Sequence, residues 1–169
     1  MNEGSGPPGW HLRKATAADI PRVAAIEAES FSDPWTLASF RSLVSGGLVW
    51  FRVAADDATD EVVGYILVWF AADEAELANI AVAPRMRGSG VGAALLDEAL
   101  GAAKARGTAQ MFLEVRDSNE RARGLYGSRG FEEVGRRRSY YRRPVEDALI
   151  LRLTLESVPQ VIRDTPQSK

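Results

Sequence analysis

Residues 85–92 read RMRGSGVG, three glycines alternating with small residues behind two arginines. A stretch of this kind lets backbone approach a phosphate, because no side chain stands in the way. Its flanks constrain the fold. Before it, AELANIAVA (75–83) is an apolar strand pattern. After it, Val91, Leu95, Leu96 and Ala99 mark one face of a helix over about 90–106, stopped by Gly107. With the strand pattern AQMFLEV (109–115) next in the chain, this region must place a helix on the face of a sheet.

The other segments extend the same architecture. WHLRKA (10–15) alternates as a strand. Thr16 is placed to cap a helix, with Asp19 three residues on, Pro21 in the first turn, and Ile20, Val23, Ala24 and Ile26 at helical spacing. FSDPW breaks that helix, and a second over about 36–45 carries Leu37, Phe40, Leu43 and Val44 and ends at Gly46 and Gly47. LVWFRVAA (48–55) and EVVGYILVWF (61–70) read as a hairpin across an acidic turn. SNERARGLYGSRG (118–130) is a helix opened by Ser118 or Asn119 and closed by Gly130; FEEVGRRRSYY and EDALILRLTLE are two closing strands. The order β-α-α-β-β-β-α-β-α-β-β predicts one α/β (α+β) domain over 10–156, a mixed sheet with helices on its faces. The Gly/Pro-rich 1–9 and the polar 157–169 read as flexible ends.

Composition removes several chemistries. There is no cysteine, which excludes disulfides, thiolate metal sites and a cysteine nucleophile, and a single histidine, His11, excludes a histidine-rich metal site. His11 reads as a surface or edge residue. The longest apolar run, near 62–72, is too short to span a bilayer, and the N-terminus lacks a basic-then-apolar pattern, so neither membrane nor export is expected and the cytoplasm is the default location. Net charge is only −2, so the chain as a whole is no polyanion binder. GRRRSYYRRP (135–144) is basic, but such a run is more often the solvated face of a strand pair than a nucleic-acid site.

The glycine loop admits three readings. A nucleotide-triphosphate loop needs Lys followed by Ser or Thr after its last glycine, and neither is present. The dinucleotide fingerprint G-x-G-x-x-A fits residues 88–93, but five residues separate strand from glycines, the motif lies mid-chain, and the closing strands read as antiparallel. In the third reading, Arg87-x-x-Gly90-x-Gly92 resembles the acyl-coenzyme A loop of the GNAT N-acetyltransferases, R/Q-x-x-G-x-G/A. NIAVAPRMRGSGVGAALL, FLEVRDSNERARGLYGSRGF and YYRRPVEDALIL come in the right order, and together they resemble the RimI branch of that superfamily over roughly residues 10–155. SDPW (32–35) resembles the branch's substrate loop.

That resemblance implies the GNAT fold, with about seven strands in a mostly antiparallel sheet and about four flanking helices. It implies acetyl transfer from acetyl-coenzyme A, as cosubstrate and without a metal, to the N-terminal alanine of the eighteenth small-subunit ribosomal protein. The partner would be a protein or peptide N-terminus, with no membrane or nucleic acid. The same resemblance puts backbone at Ile80, Ala81 and Val82 on the acetyl and pantetheine groups and Arg87, Gly88, Ser89, Gly90, Val91 and Gly92 around the pyrophosphate. Asn119 is then a pantetheine contact, a helix cap, or both. Pro34, Trp35, Tyr140 and Tyr141 would wall the peptide site, with Glu27, Glu29 and Asp33 either attracting a basic peptide or standing as surface acids.

The reaction needs a neutral amine and a proton for the departing thiolate. An α-amine, with a pKa of about 8 against about 10.4 for lysine, asks only for a mild base. Without cysteine or a serine–histidine pair, direct attack in a ternary complex is expected rather than an acyl-enzyme. Strand alternation puts Glu114 on one face with Phe112 and Arg116, either as a base raised by burial or as the partner of Arg116 or a helix arginine. The branch's catalytic glutamate matches Glu114; Glu76, on the preceding strand, is the rival base. Tyr126 shares a helix face with Ala122 and Leu125 and matches the branch's catalytic tyrosine, a proton donor to thiolate. A GNAT enzyme for small amines, or a non-catalytic coenzyme A-binding module, stays open as the alternative.

Overall fold

The apolar run is buried from Val62 to Val68 because it lies inside a sheet, with a strand on each side and helices on both faces. The structure, a computed structural model, describes residues 9–155. The ends expected to be flexible lie outside the described residues, apart from Gly9, whose carbonyl accepts the Asp57 amide at 2.9 Å. The strands are β1 (Trp10–Lys14), β2 (Val49–Asp56), β3 (Val62–Ala71), β4 (Glu74–Val82), β5 (Gln110–Arg116), β6 (Glu132–Tyr141) and β7 (Glu146–Thr154). The helices are α1 (Ile20–Ser30), α2 (Leu37–Gly46), α3 (Val91–Ala105) and α4 (Glu120–Ser128). Sheet order is β1-β2-β3-β4-β5-β7-β6, and only β4 and β5 run parallel. A parallel pair needs a crossover, and α3 provides it.

The ends of the helices follow from local chemistry, with one difference from expectation. Thr16 does not open α1 directly: a 3-10 turn, Ala17–Asp19, intervenes. Asp19 closes that turn by accepting the Thr16 amide at 2.8 Å, and it also takes a two-pronged bond from Arg13 at 2.7 and 2.8 Å. The Thr36 hydroxyl accepts the Ser39 amide at the start of α2, and Gly47, at φ +67°, ends it.

Two apolar layers result. Leu95, Leu96 and Ala99 of α3 and Tyr126 of α4 pack with Met111, Leu113 and Leu149 on one face of the sheet. Ile20, Val23 and Ile26 of α1 and Phe40 of α2 pack with Val53, Tyr65 and Leu67 on the other. β4 contributes to both by alternation, and its register with β3 shifts between Leu67–Asn79 and Val68–Leu77, leaving Ala78 as an extra residue. Ala75 and Leu77, before this bulge, join the α3 layer, and Ala81, after it, joins the α1–α2 layer.

Gly64 lets α3 approach β3. A Cβ there would stand 2.8 Å from Val91 Cγ1 and 3.3 Å from Leu95 Cδ1. Gly64→Val is therefore expected to cost about 1–3 kcal/mol through overpacking. Urea unfolding measures this, and an unchanged midpoint would contradict so close an approach.

Candidate active site

β4 and β5 are paired only from Glu74–Gln110 to Leu77–Leu113. Past that point β4 stays bonded to β3, from Asn79 opposite Leu67 to Val82 opposite Gly64, while β5 stays bonded to β7, from Glu114 opposite Ile150 to Arg116 opposite Ala148. The two strands part there. The facing edges, 78–82 and 114–116, have no strand partner on that side among the described residues, and their backbone groups there need acceptors and donors from elsewhere. Ile80, Ala81 and Val82 lie on this edge.

The glycine loop sits against the end of this edge. A Cβ on Gly92 would lie 3.5 Å from Val82 Cγ2 and 3.9 Å from Leu125 Cδ2, so α3 begins between β4 and α4. Gly88 and Gly90 have φ of +81° and +92°, which side chains disfavour. Gly90 caps α3 with no side-chain bond to its first turn, leaving the leading amides and the positive dipole end for an anion. Ser89 turns its hydroxyl to the Met86 carbonyl. Arg85 is paired with Glu61 at 3.3 Å, and Arg87 donates to the Val82 carbonyl and the Ser30 hydroxyl, both at 3.3 Å. Asn119 caps α4 by accepting the Ala122 amide at 3.2 Å.

On the α1–α2 side of the parting, a cleft of about 350 Å³ is lined by Trp69, Glu76, Phe112, Glu114, Arg137 and Ile150. Both candidate bases thus share one cleft. Of the two readings of Glu114, the structure shows an ion pair: its side chain keeps 27% exposure and meets a guanidinium at 2.7 Å. The partner is Arg137 of β6, not Arg116 or a helix arginine. Tyr126 lies under α4, 4% exposed, its ring edge-on to Phe131 at 5.6 Å. Burial, and then the charge of Tyr141, push its hydroxyl above the ordinary phenol range, so it holds its proton.

Tyr140 and Tyr141 join the two halves of the site. Their rings meet edge-on at 5.1 Å. Burial and then the Glu114 charge push Tyr141 up to about 12, and the Glu114 charge is the largest influence raising Tyr140. The register of β6 breaks between Arg137 and Tyr141, with Ser139 at φ +51° and its amide on Asp147 at 2.9 Å. This bulge sets the two tyrosines at the strand end.

Arg116 ties the walls of the site together. It donates to the Ser32 hydroxyl at 2.7 Å, to the Arg142 and Pro144 carbonyls at 3.3 Å each and to Glu146 at 3.2 Å, and its guanidinium lies 4.3 Å from the Tyr141 ring centroid. The 31–36 segment with Pro34 and Trp35 is thereby joined to the β6–β7 hairpin. The basic cluster is also accounted for in part. Arg136 is paired with Asp117, Asp147 and Glu133, and Arg137 with Glu114.

Glu27 is a second correction. It is neither a surface acid nor an attractor for a peptide tail, being 1% exposed. It accepts the Trp35 amide at 3.1 Å, the Asn79 side-chain amide at 2.6 Å and the Tyr65 hydroxyl. Its spacing carried the signal: seven residues after Ile20 and four after Val23, it lies on the apolar stripe of α1.

Residues 17–131 match the acetyltransferase (GNAT) family, and the chain belongs to that family. The [ribosomal protein bS18]-alanine N-acetyltransferase of Escherichia coli (strain K12) is 35% identical over 141 residues, which are 81% of this chain and 92% of that one. The crystal structure of the ribosomal-protein-S18-alanine N-acetyltransferase from Escherichia coli superposes with a TM-score of 0.82 at 31% identity, covering 90% of this chain and 98% of that one. A phosphinothricin acetyltransferase from Sinorhizobium meliloti in complex with AcCoA gives a TM-score of 0.74 at 25% identity, with 93% and 97% covered. No helix among the described residues is long and apolar enough to cross a membrane.

Arg116→Lys keeps the charge but not the planar fork that reaches Ser32, two carbonyls and Glu146 together. It is expected to cost about 1–3 kcal/mol in urea unfolding. A midpoint equal to that of the unmodified protein would show that these bonds do not hold the walls.

Proposed function

We propose that the protein acetylates the N-terminal α-amine of a protein, with acetyl-coenzyme A as donor and the N-terminal alanine of ribosomal protein bS18 as acceptor. The observation that carries this reading is the parting of β4 and β5, with Glu114 just past the last paired residues and the α3 N-terminus against the far end of the β4 edge. The relatives' activity on bS18 supports the choice of acceptor.

The donor's pantetheine arm lies along the β4 edge at 80–82, and its pyrophosphate takes the amides of 88–93 at the α3 N-terminus. An amide of the β4 edge polarises the thioester carbonyl. The peptide enters between the Pro34–Trp35 loop and the Tyr140–Tyr141 strand end. Its α-ammonium displaces Arg137 from Glu114 and gives it a first proton, which passes to solvent; the neutral amine then attacks, and Glu114 takes the second proton from the nitrogen as it does so. The new C–N bond forms as the carbonyl π pair moves to oxygen. Collapse restores the carbonyl and breaks the C–S bond, and Tyr126 protonates the leaving thiolate. Burial keeps that phenol protonated until the thiolate appears. Asn119, with its oxygen committed to the α4 cap, has its amide nitrogen to offer the pantetheine arm.

Assays with acetyl-coenzyme A and peptides starting with alanine test the scheme. Glu114→Gln is expected to lower kcat by about 10²–10⁴-fold and Tyr126→Phe by at least about tenfold, while Glu76→Gln changes it less than about tenfold. Larger loss in Glu76→Gln than in Glu114→Gln would reassign the base. Mass spectrometry should place the acetyl group on the first residue; a product formed only from small amines would overturn the acceptor. Gly90→Glu is expected to raise the KM for acetyl-coenzyme A by at least about tenfold, since it brings strain and a like charge to the phosphate loop.

A further inference from the structure

Glu27 is a buried carboxylate with no cationic partner among the described residues. An apolar side chain would fill this position beside Val23 and Ile26 at lower cost, because a buried charge must be repaid by its hydrogen bonds. Burial pushes the Glu27 carboxyl up, and bonds from Tyr65, Trp35 and Asn79 pull against that rise. The mechanism above gives it no proton to carry. Its bonds explain its presence better, because they divide by oxygen. Oε1 accepts the Trp35 backbone amide, and Oε2 accepts the Asn79 side chain and the Tyr65 hydroxyl.

The two oxygens reach different halves of the site. Asn79 is the first residue after the Ala78 bulge and precedes the β4 edge at 80–82. Trp35 is in the loop that would receive the peptide. Its ring lies 5.7 Å from Phe40, and it remains 36% exposed, an aromatic face held from behind and open in front. The start of the same loop is held separately, by Ser32 on Arg116. Glu27 is the tie between the Trp35 end and the acyl-donor strand.

We propose that Glu27 is a positioning residue for the peptide substrate, one oxygen holding the Trp35 amide and the other holding β4 at its bulge. This rests on the reading of the protein as an N-terminal acetyltransferase. The carboxylate fixes the spacing between the loop that takes the peptide and the edge that takes the acyl group. A neutral amide keeps an acceptor for the Trp35 amide and, with the Asn79 side chain turned to present its oxygen, a donor toward β4, so it should largely suffice; an apolar side chain offers neither.

The test measures both KM values, with acetyl-coenzyme A and an alanine-starting peptide, in Glu27→Leu and Glu27→Gln. Glu27→Leu is expected to raise the peptide KM about tenfold or more, with the acetyl-coenzyme A KM within about twofold, while Glu27→Gln stays within about threefold on both. A Glu27→Leu protein whose peptide KM is unchanged, or whose two KM values rise alike, overturns the proposal. If Glu27→Leu fails to fold, two measurements replace it. Tyr65→Phe keeps the ring and removes one donor, and should raise the peptide KM several-fold alone. Hydrogen exchange at the Trp35 amide of the unmodified protein should be at least about a hundredfold slower than in a free chain. Free-chain exchange, or no change in Tyr65→Phe, overturns it. An unmodified protein inactive on every peptide overturns the functional reading as well; one that acetylates peptides while Glu27→Leu behaves like it overturns this inference alone.

Discussion

The parallel pairing of β4 with β5 ends at Leu77 and Leu113, and the rest of the site depends on where it stops. Each strand keeps its outer neighbour, so parting costs the sheet only the bonds between them. The Ala78 bulge comes one residue after the last β4 pair, and turns β4 so that Asn79 and Ala81 face α1 and α2 while Ala75 and Leu77 face α3. The bulge thus falls where β4 leaves β5 and its inner edge is freed. The glycine loop, at the end of that edge, then needs no side chain to bring amides to an anion.

Charge around this opening is arranged by arginines more than by the acids they meet. Arg137 occupies Glu114, Arg136 holds Asp117 and Asp147, and Arg116 joins β5 to the 31–36 loop and the β6–β7 hairpin. Within the basic run at 135–144, Arg136 and Arg137 are thus committed to acids of neighbouring strands and loops. Burial serves the opposite purpose at Tyr126, where a phenol kept neutral stays able to donate.

Much of this was legible in the sequence wherever the cause was local. Glycine spacing marked the loop that opens α3, Asn119 the start of α4, and strand alternation the face carrying Glu114. The family's motif order, read on the residues, gave the architecture that the structure has. Long-range pairings were not legible. Glu114 meets Arg137 only because β7 inserts between β5 and β6, an order that no local pattern dictates. LANIAV carries no mark of a bulge at Ala78. Glu27 was misread because a charged side chain at a helix end defaults to solvent, although its spacing places it on the buried stripe.

The claim on which these assignments converge is that the parted β4 edge and the α3 N-terminus form one binding surface for the acyl donor. Amide-resolved NMR titration with coenzyme A measures this directly. The account predicts the largest shift changes at 79–82 and 88–93, with smaller ones at Asn119 and Tyr126. Changes confined to other surfaces, such as the exposed β6 edge, with 79–82 unmoved at saturation, would contradict it.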